Sequence, residues 1–231
     1  MLAVDTKNKE VSLKKLKEEY TNEFIVLGLF YFAQKYGFEL DRMKTVKLLW
    51  KFKDLVQGKL GLQAYYTEAY KDKHGRFNKE IYTQLNDLKV ADFITTTGAQ
   101  PFEKFIISTK GQKAFNTFEI NNEDTKYALG LAKSQLEYVV KENGEKSAMA
   151  LREEDHKDIK EIEKLPEKDE SIVLCPNLKS EETKYQFIFD EQEALDWSVA
   201  IGIGKRKKTE EIMPEDELPK TQKEAYKIFG L

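Results

Sequence analysis

The chain has 231 residues, enough to bury a core as one large domain or as two small ones. An apolar fraction of 40% with fourteen Phe excludes wholesale disorder, and 34% charged residues call for a heavily solvated surface. The single cysteine, Cys175, excludes an intramolecular disulfide and a cysteine-rich zinc site, as suits a reducing cytoplasm.

The N-terminus holds no apolar run of signal-peptide length. The most apolar segment, residues 24–38, is interrupted by Gln34, Lys35 and Tyr36 and is too short to span a bilayer. A soluble, cytoplasmic protein without membrane contact is the expectation. The net charge of −3 conceals an asymmetry, because residues 1–118 carry 20 Lys/Arg against 14 Asp/Glu and residues 119–231 carry 18 against 27. The first half can attract phosphate and the second would repel it, although two ordinary solvated surfaces also differ by this much.

In chain order, Ser12 is placed to cap a helix running to about Tyr36, with Leu16, Tyr20, Phe24 and Leu27 at helical spacing and Gly37 to stop it. Asp41 is an N-cap for a second helix whose apolar positions Val46, Leu49, Trp50, Leu55 and Val56 end before Gly58. Leu62–Tyr70 is aromatic and roughly alternating, which predicts a short strand or extended segment, and a loop KDKHGRF follows it. Asn78 caps a third helix with Ile81, Tyr82, Leu85 and Leu88 on its apolar face.

Phe93–Thr97 and Phe102–Ser108 then read as two strands joined at Gly98-Ala99-Gln100-Pro101, before a Ser108- or Thr109-capped helix facing inward through Ala114, Phe115 and Phe118. A further helix ends at Gly144. Residues 145–170 are dense in Lys and Glu and read as an exposed helix or linker. Ile172–Cys175 and Tyr185–Phe189 are strand-like, and a helix runs from Asp190 to about Ile203, where Gly204 stops it ahead of Lys205–Lys208 and an acidic tail.

Helix, ribbon and capped helix across Asn78–Phe118 are in the order of a winged helix. The strand that enters a capped helix through Ser108-Thr109-Lys110-Gly111 resembles the end of the wing in many bacterial winged-helix regulators. The expected fold is therefore α+β: a winged-helix domain over 1–118, a charged helical connector over 119–170 and a small acidic α/β region over 171–231.

A simple helix-turn-helix has a short turn, whereas here an aromatic segment and His74-Gly75-Arg76-Phe77 separate the second and third helices. That arrangement resembles the Panacea domain family, typified by SocA-type antitoxins and their uncharacterised relatives. In that family an aromatic stretch and a Gly-Pro-Tyr-like loop precede a helix ending in a Leu-x-x-x-Gly-Leu-Ile-type run. His74–Phe77 stands in the place of the loop and Leu85–Ile94 in the place of the run, with the Pro absent and Val90-Ala91-Asp92 replacing the Gly-containing exit. The resemblance implies toxin neutralisation or adaptor-like protein contacts.

With Tyr82, Leu85 and Leu88 inward, Lys79, Thr83, Gln84 and Asn86 are expected to face out, groups that reach phosphates and base edges. Lys89 would join them, and Arg76 and Lys104 would touch flanking phosphates of double-stranded DNA. The same residues also read as the ordinary polar face of an amphipathic helix. Between Asp92 and Glu103 no basic residue is present, which is unfavourable for a groove-entering tip. Tyr65, Tyr66 and Tyr70 are candidates for contacting a protein partner such as a toxin, or equally for a half-buried strand; a homodimer is a further expected partner.

Nothing marks a catalytic centre. His74 and His156 lie far apart, and only a site such as Asp72 with His74 would bind metal; Cys175 reads as a small hydrophobe. The carboxylates of 155–163 form a charge run. Gly202-Ile203-Gly204-Lys205 follows a helix where a phosphate loop would precede one. The sequence predicts a protein that binds and does not catalyse, with no cofactor: a DNA-binding regulator, or an antitoxin- or adaptor-type interaction module on the same scaffold.

Overall fold

The computed structural model describes residues 2–65, 70–72, 75–99, 103–118, 120, 122–158 and 185–208, with backbone alone for 2–13, 15, 70–72, 75, 158 and 202–208. The described residues form an α+β arrangement, rich in helix with small sheets. Helix α1, Leu2–Lys35, begins well before the expected Ser12 cap. Gly37 ends it at φ 74°, where the Phe38 N–H donates back to the Ala33 carbonyl at 2.8 Å and the Gly37 N–H to Gln34 at 3.1 Å. This left-handed closure favours glycine because positive φ strains any L side chain, although the space beside Gly37 is open.

Strand β1, Leu40–Asp41, is too short to leave a sequence signal, and it feeds helix α2, Arg42–Leu60. Asp41 serves both elements. Its backbone pairs with Lys104, and its carboxylate accepts the Lys44 N–H at 2.8 Å. The helix runs through Gly58, the position expected to break it, and stops only at Gly61. A mid-helix glycine costs about 1 kcal/mol relative to alanine, which the buried faces of Phe52 and Val56 outweigh.

Within Leu62–Tyr70, expected as a short strand or extended segment, the described strand residues belong to two strands at its ends. Strand β2, Leu62–Gln63, pairs in parallel with β7, Tyr185–Gln186, while β3, Tyr70–Asp72, forms a hairpin with β4, Gly75–Phe77, where a loop was expected. Asn78 then caps α3, Lys79–Val90, accepting the Glu80 N–H at 2.6 Å. Strands β5, Ile94–Thr97, and β6, Lys104–Ile107, complete a three-stranded antiparallel sheet in the order β1-β6-β5. Ser108 caps α4, Thr109–Thr117. A Cβ on Gly111 would lie 2.1 Å from the Phe93 carbonyl oxygen, so only glycine lets this helix start close against the preceding turn.

Helices α5, Glu123–Asn143, α6, Ala148–Asp158, and α7, Glu191–Lys208, follow. The last continues past Gly204, which was expected to stop it, through Lys205–Lys208. The strand expected at Ile172–Cys175, Cys175 itself and the acidic tail lie outside the described residues.

One hydrophobic cluster draws on each of the helices α1 to α7. Phe24 of α1 lies 5.0 Å from Phe115, 5.5 Å from Phe118, 5.6 Å from Phe189 and 5.4 Å from Trp197, ring to ring. The Trp197 indole N–H donates to Glu23 at 3.0 Å, and the Phe189 N–H donates to the Thr21 hydroxyl at 2.9 Å. Described residues before 118 and after 184 therefore share one core. Within the expected connector, α5 packs on α1 and α2 and buries Leu129, Leu136, Val139 and Val140, and α6 buries Leu151.

Candidate binding interface

Helix α3 buries Ile81, Gln84, Leu85, Asp87 and Leu88, a stripe turned slightly from the predicted one. Lys79, Thr83 and Asn86 are exposed as expected, together with Glu80. Gln84 is 4% exposed, and its side-chain oxygen meets no hydrogen-bond donor among the described residues. The reason is phase: Gln84 stands three residues after Ile81 and four before Leu88, so it shares their face. It does not face a groove. Tyr82, expected inward, is half-buried and packs edge-on against Phe77 at 5.0 Å.

Arg76 is the larger correction. It is 2% exposed, and its guanidinium grips Asp54 with two hydrogen bonds of 2.8 and 2.6 Å. It also donates to Asp155 at 2.9 and 2.6 Å, and Lys47 joins the same carboxylate at 2.8 Å. Burial works against the ionised Asp155, yet Arg76 and Lys47 outweigh it and hold the carboxyl below its ordinary range. Burial likewise opposes the Arg76 charge, and Asp54 with Asp155 still raises its pKa. A side chain enclosed in this way cannot reach a DNA phosphate. Asp155, read as part of a solvated charge run, stands four residues after buried Leu151 and so faces inward; that spacing was the available signal.

On and beside α3, the cations Arg42, Lys89 and Lys104 each face a carboxylate. Glu103, 4% exposed, accepts from Arg42 at the start of α2 and from Lys89 at 3.5 Å. Arg42 also lies over the rings of Tyr82 at 5.3 Å and Phe105 at 5.9 Å. Lys104 pairs with Glu39. Lys79 makes no ion pair with a described residue. The result, among the described residues, is a polar face on which Lys79 alone makes no ion pair, with Thr83 and Asn86 exposed and a half-buried aromatic at its edge. Neither Arg42 nor Glu103 stood out in the sequence, because the pair is 61 residues apart.

Among the aromatic candidates, Tyr65 is fully buried against Trp50 at 6.0 Å, so it presents nothing to a partner. Tyr66 lies outside the described residues, as do His74 and Gln100. Tyr70 pairs with Phe77 across the β3–β4 hairpin, and its side chain is not among those described. Among the described residues no group of three or more His, Cys, Asp or Glu could hold a metal ion, and no helix is long and apolar enough to cross a membrane. No protein-family profile, curated protein or solved structure matches the chain.

Proposed function

We propose that the elements α1, β1, α2, α3, β5 and β6 form a winged-helix scaffold, and that its α3–ribbon face docks a protein. The sheet order β1-β6-β5, with β1 between the first two helices and the β5–β6 ribbon after the third, supports the scaffold. The observation that carries the protein reading is charge balance on the face. Arg42 and Lys89 are held by Glu103, and Lys104 by Glu39. Phosphate binding depends on cations free to displace counterions, and three of the four here already have a carboxylate. Exposed polar groups beside a half-buried aromatic suit the rim and core of a transient protein contact. The resemblance to antitoxin-type proteins points the same way, toward an adaptor or a toxin-neutralising module.

A DNA-binding regulator is the second reading, favoured by the outward stripe Lys79, Thr83 and Asn86 on α3. One comparison tests both. Affinity capture with the wild-type chain recovers a stoichiometric protein that a Thr83→Arg/Asn86→Arg variant loses. Binding of generic duplex DNA at low salt, abolished by Lys79→Glu with Lys89→Glu, overturns the protein reading in favour of the regulator.

A further inference from the structure

Helix α5 carries a second candidate surface, independent of what meets α3. Its buried stripe is Thr125, Ala128, Leu129, Ala132, Leu136, Val139 and Val140. At about 100° per residue the opposite stripe runs Glu123, Tyr127, Ser134, Tyr138 and Lys141. Tyr127 is 56% exposed and Tyr138 52%, and the Tyr127 ring lies 5.3 Å from Tyr185, itself 40% exposed. Single exposed hydrophobics are ordinary; two tyrosines on one azimuth, about 16 Å apart and flanking small residues, are a seam. Gly130 has open space around the position of a Cβ, and Ser134 is exposed, so a neighbouring helix can approach closely between the two rings.

The stripe's charges select the occupant. Glu123 and Asp124 stand at its N-terminal end and Lys141 at its C-terminal end, with the midpoint between Ala132 and Lys133. A two-fold axis at that midpoint sets Tyr127 of one copy beside Tyr138 of the other and Lys141 opposite Asp124, one residue's rise from Glu123 on the stripe. An isologous contact requires this self-complementarity. Antiparallel helix dipoles add to the attraction. The pair that Glu123 makes with Lys126 at 3.4 Å is fully surface-exposed and does not hold it back. We propose that two copies of this chain pack α5 against α5, antiparallel, through Tyr127 and Tyr138. Each tyrosine buries its ring and leaves its hydroxyl at the water's edge. Three turns per partner form a small interface, so the dimer is concentration-dependent, in the micromolar range.

Sedimentation of the full chain across about 1 to 500 μM tests it. The wild type is expected to shift from monomer to dimer, and Tyr138→Lys to weaken the dimer at least ~10-fold, as loss of an anchoring aromatic does. Glu123→Lys and Lys141→Glu each weaken it, and the double variant, which exchanges the two charges, associates like the wild type. A double variant as weak as either single one overturns the antiparallel pairing, as does a dimer indifferent to Tyr138→Lys. If residues 159–184 of the same chain cover the stripe instead, the wild type stays monomeric and Tyr138→Lys lowers its melting temperature. That outcome overturns the dimer.

Discussion

Two groups of ion pairs tie distant parts of this chain together, and they differ in how far water reaches them. Around Asp155, the side chains of Lys47, Arg76 and Asp155 are 2%, 2% and 4% exposed. Around Glu103, the carboxylate is 5% exposed, but its partners Arg42 and Lys89 are 38% and 41% exposed. The first group locks α2, the β3–β4 hairpin and α6 to one another. The second lies on the α3–ribbon face proposed to dock a partner, where water reaches its cations. Similar chemistry thus sits in a dry setting in one place and a hydrated one in the other, and desolvation sets what each pair contributes.

Removing the central carboxylate gives the largest expected effect. Asp155→Ala strands Lys47 and half of the Arg76 guanidinium in a dry setting, where a broken buried pair costs about 3–5 kcal/mol. Urea unfolding of the variant measures it. A loss below about 1 kcal/mol would put the cluster in the same class as a surface pair and remove the contrast.

Acid probes the same group without mutation. Because Asp155 ionises below its ordinary value of about 4, its contribution is fully present above that value. The contribution is lost as the pH falls through the lowered folded value, where both states become protonated. Unfolding free energy followed from neutral pH downward therefore declines more steeply below about pH 4 for the wild type than for Asp155→Asn. Parallel curves would mean that Asp155 is not held in the ionised form.

What was legible in the sequence follows the reach of each interaction. Asp41, Asn78 and Ser108 cap helices through partners two or three residues away, so the residue type alone predicted them. Arg76 bonds to Asp54 and Asp155, 22 and 79 residues off, and nothing local distinguishes it from a solvated arginine. Gln84 reads as outward because it is polar and lies on a helix, while the apolar positions around it set the phase and turn it inward. Gly58 and Gly204 look like helix stops in the sequence because glycine propensity is local. In α2 the core contacts of Phe52 and Val56 override it. The join between Phe24 and Trp197 left no pattern at all, since it depends on two helices meeting across the core.

The Glu103 group gives a smaller change in stability and a more telling change in binding. Glu103→Gln keeps the size of the side chain and removes its charge, with a cost of up to about 1 kcal/mol because both cations remain hydrated. It also frees Arg42 and Lys89. Titration with a polyanion such as heparin or generic duplex at low salt should then show tighter binding than the wild type, with a salt dependence steeper by about two ions. Unchanged binding would show that the rings of Tyr82 and Phe105, and not Glu103, hold Arg42.

The smallest effect is expected at Glu39, and it calibrates the others. Glu39 is 60% exposed and Lys104 46%, so water already competes for both ends of this pair. Glu39→Gln should change stability by less than about 0.5 kcal/mol. It should also raise polyanion binding less than Glu103→Gln does, since Lys104 can turn to an incoming phosphate without leaving a buried partner. If the two substitutions raised binding equally, the enclosure of Glu103 would be irrelevant and only the net charge of the face would matter. A larger gain for Glu103→Gln would tie the selectivity of this surface to the one carboxylate that the fold has taken out of water.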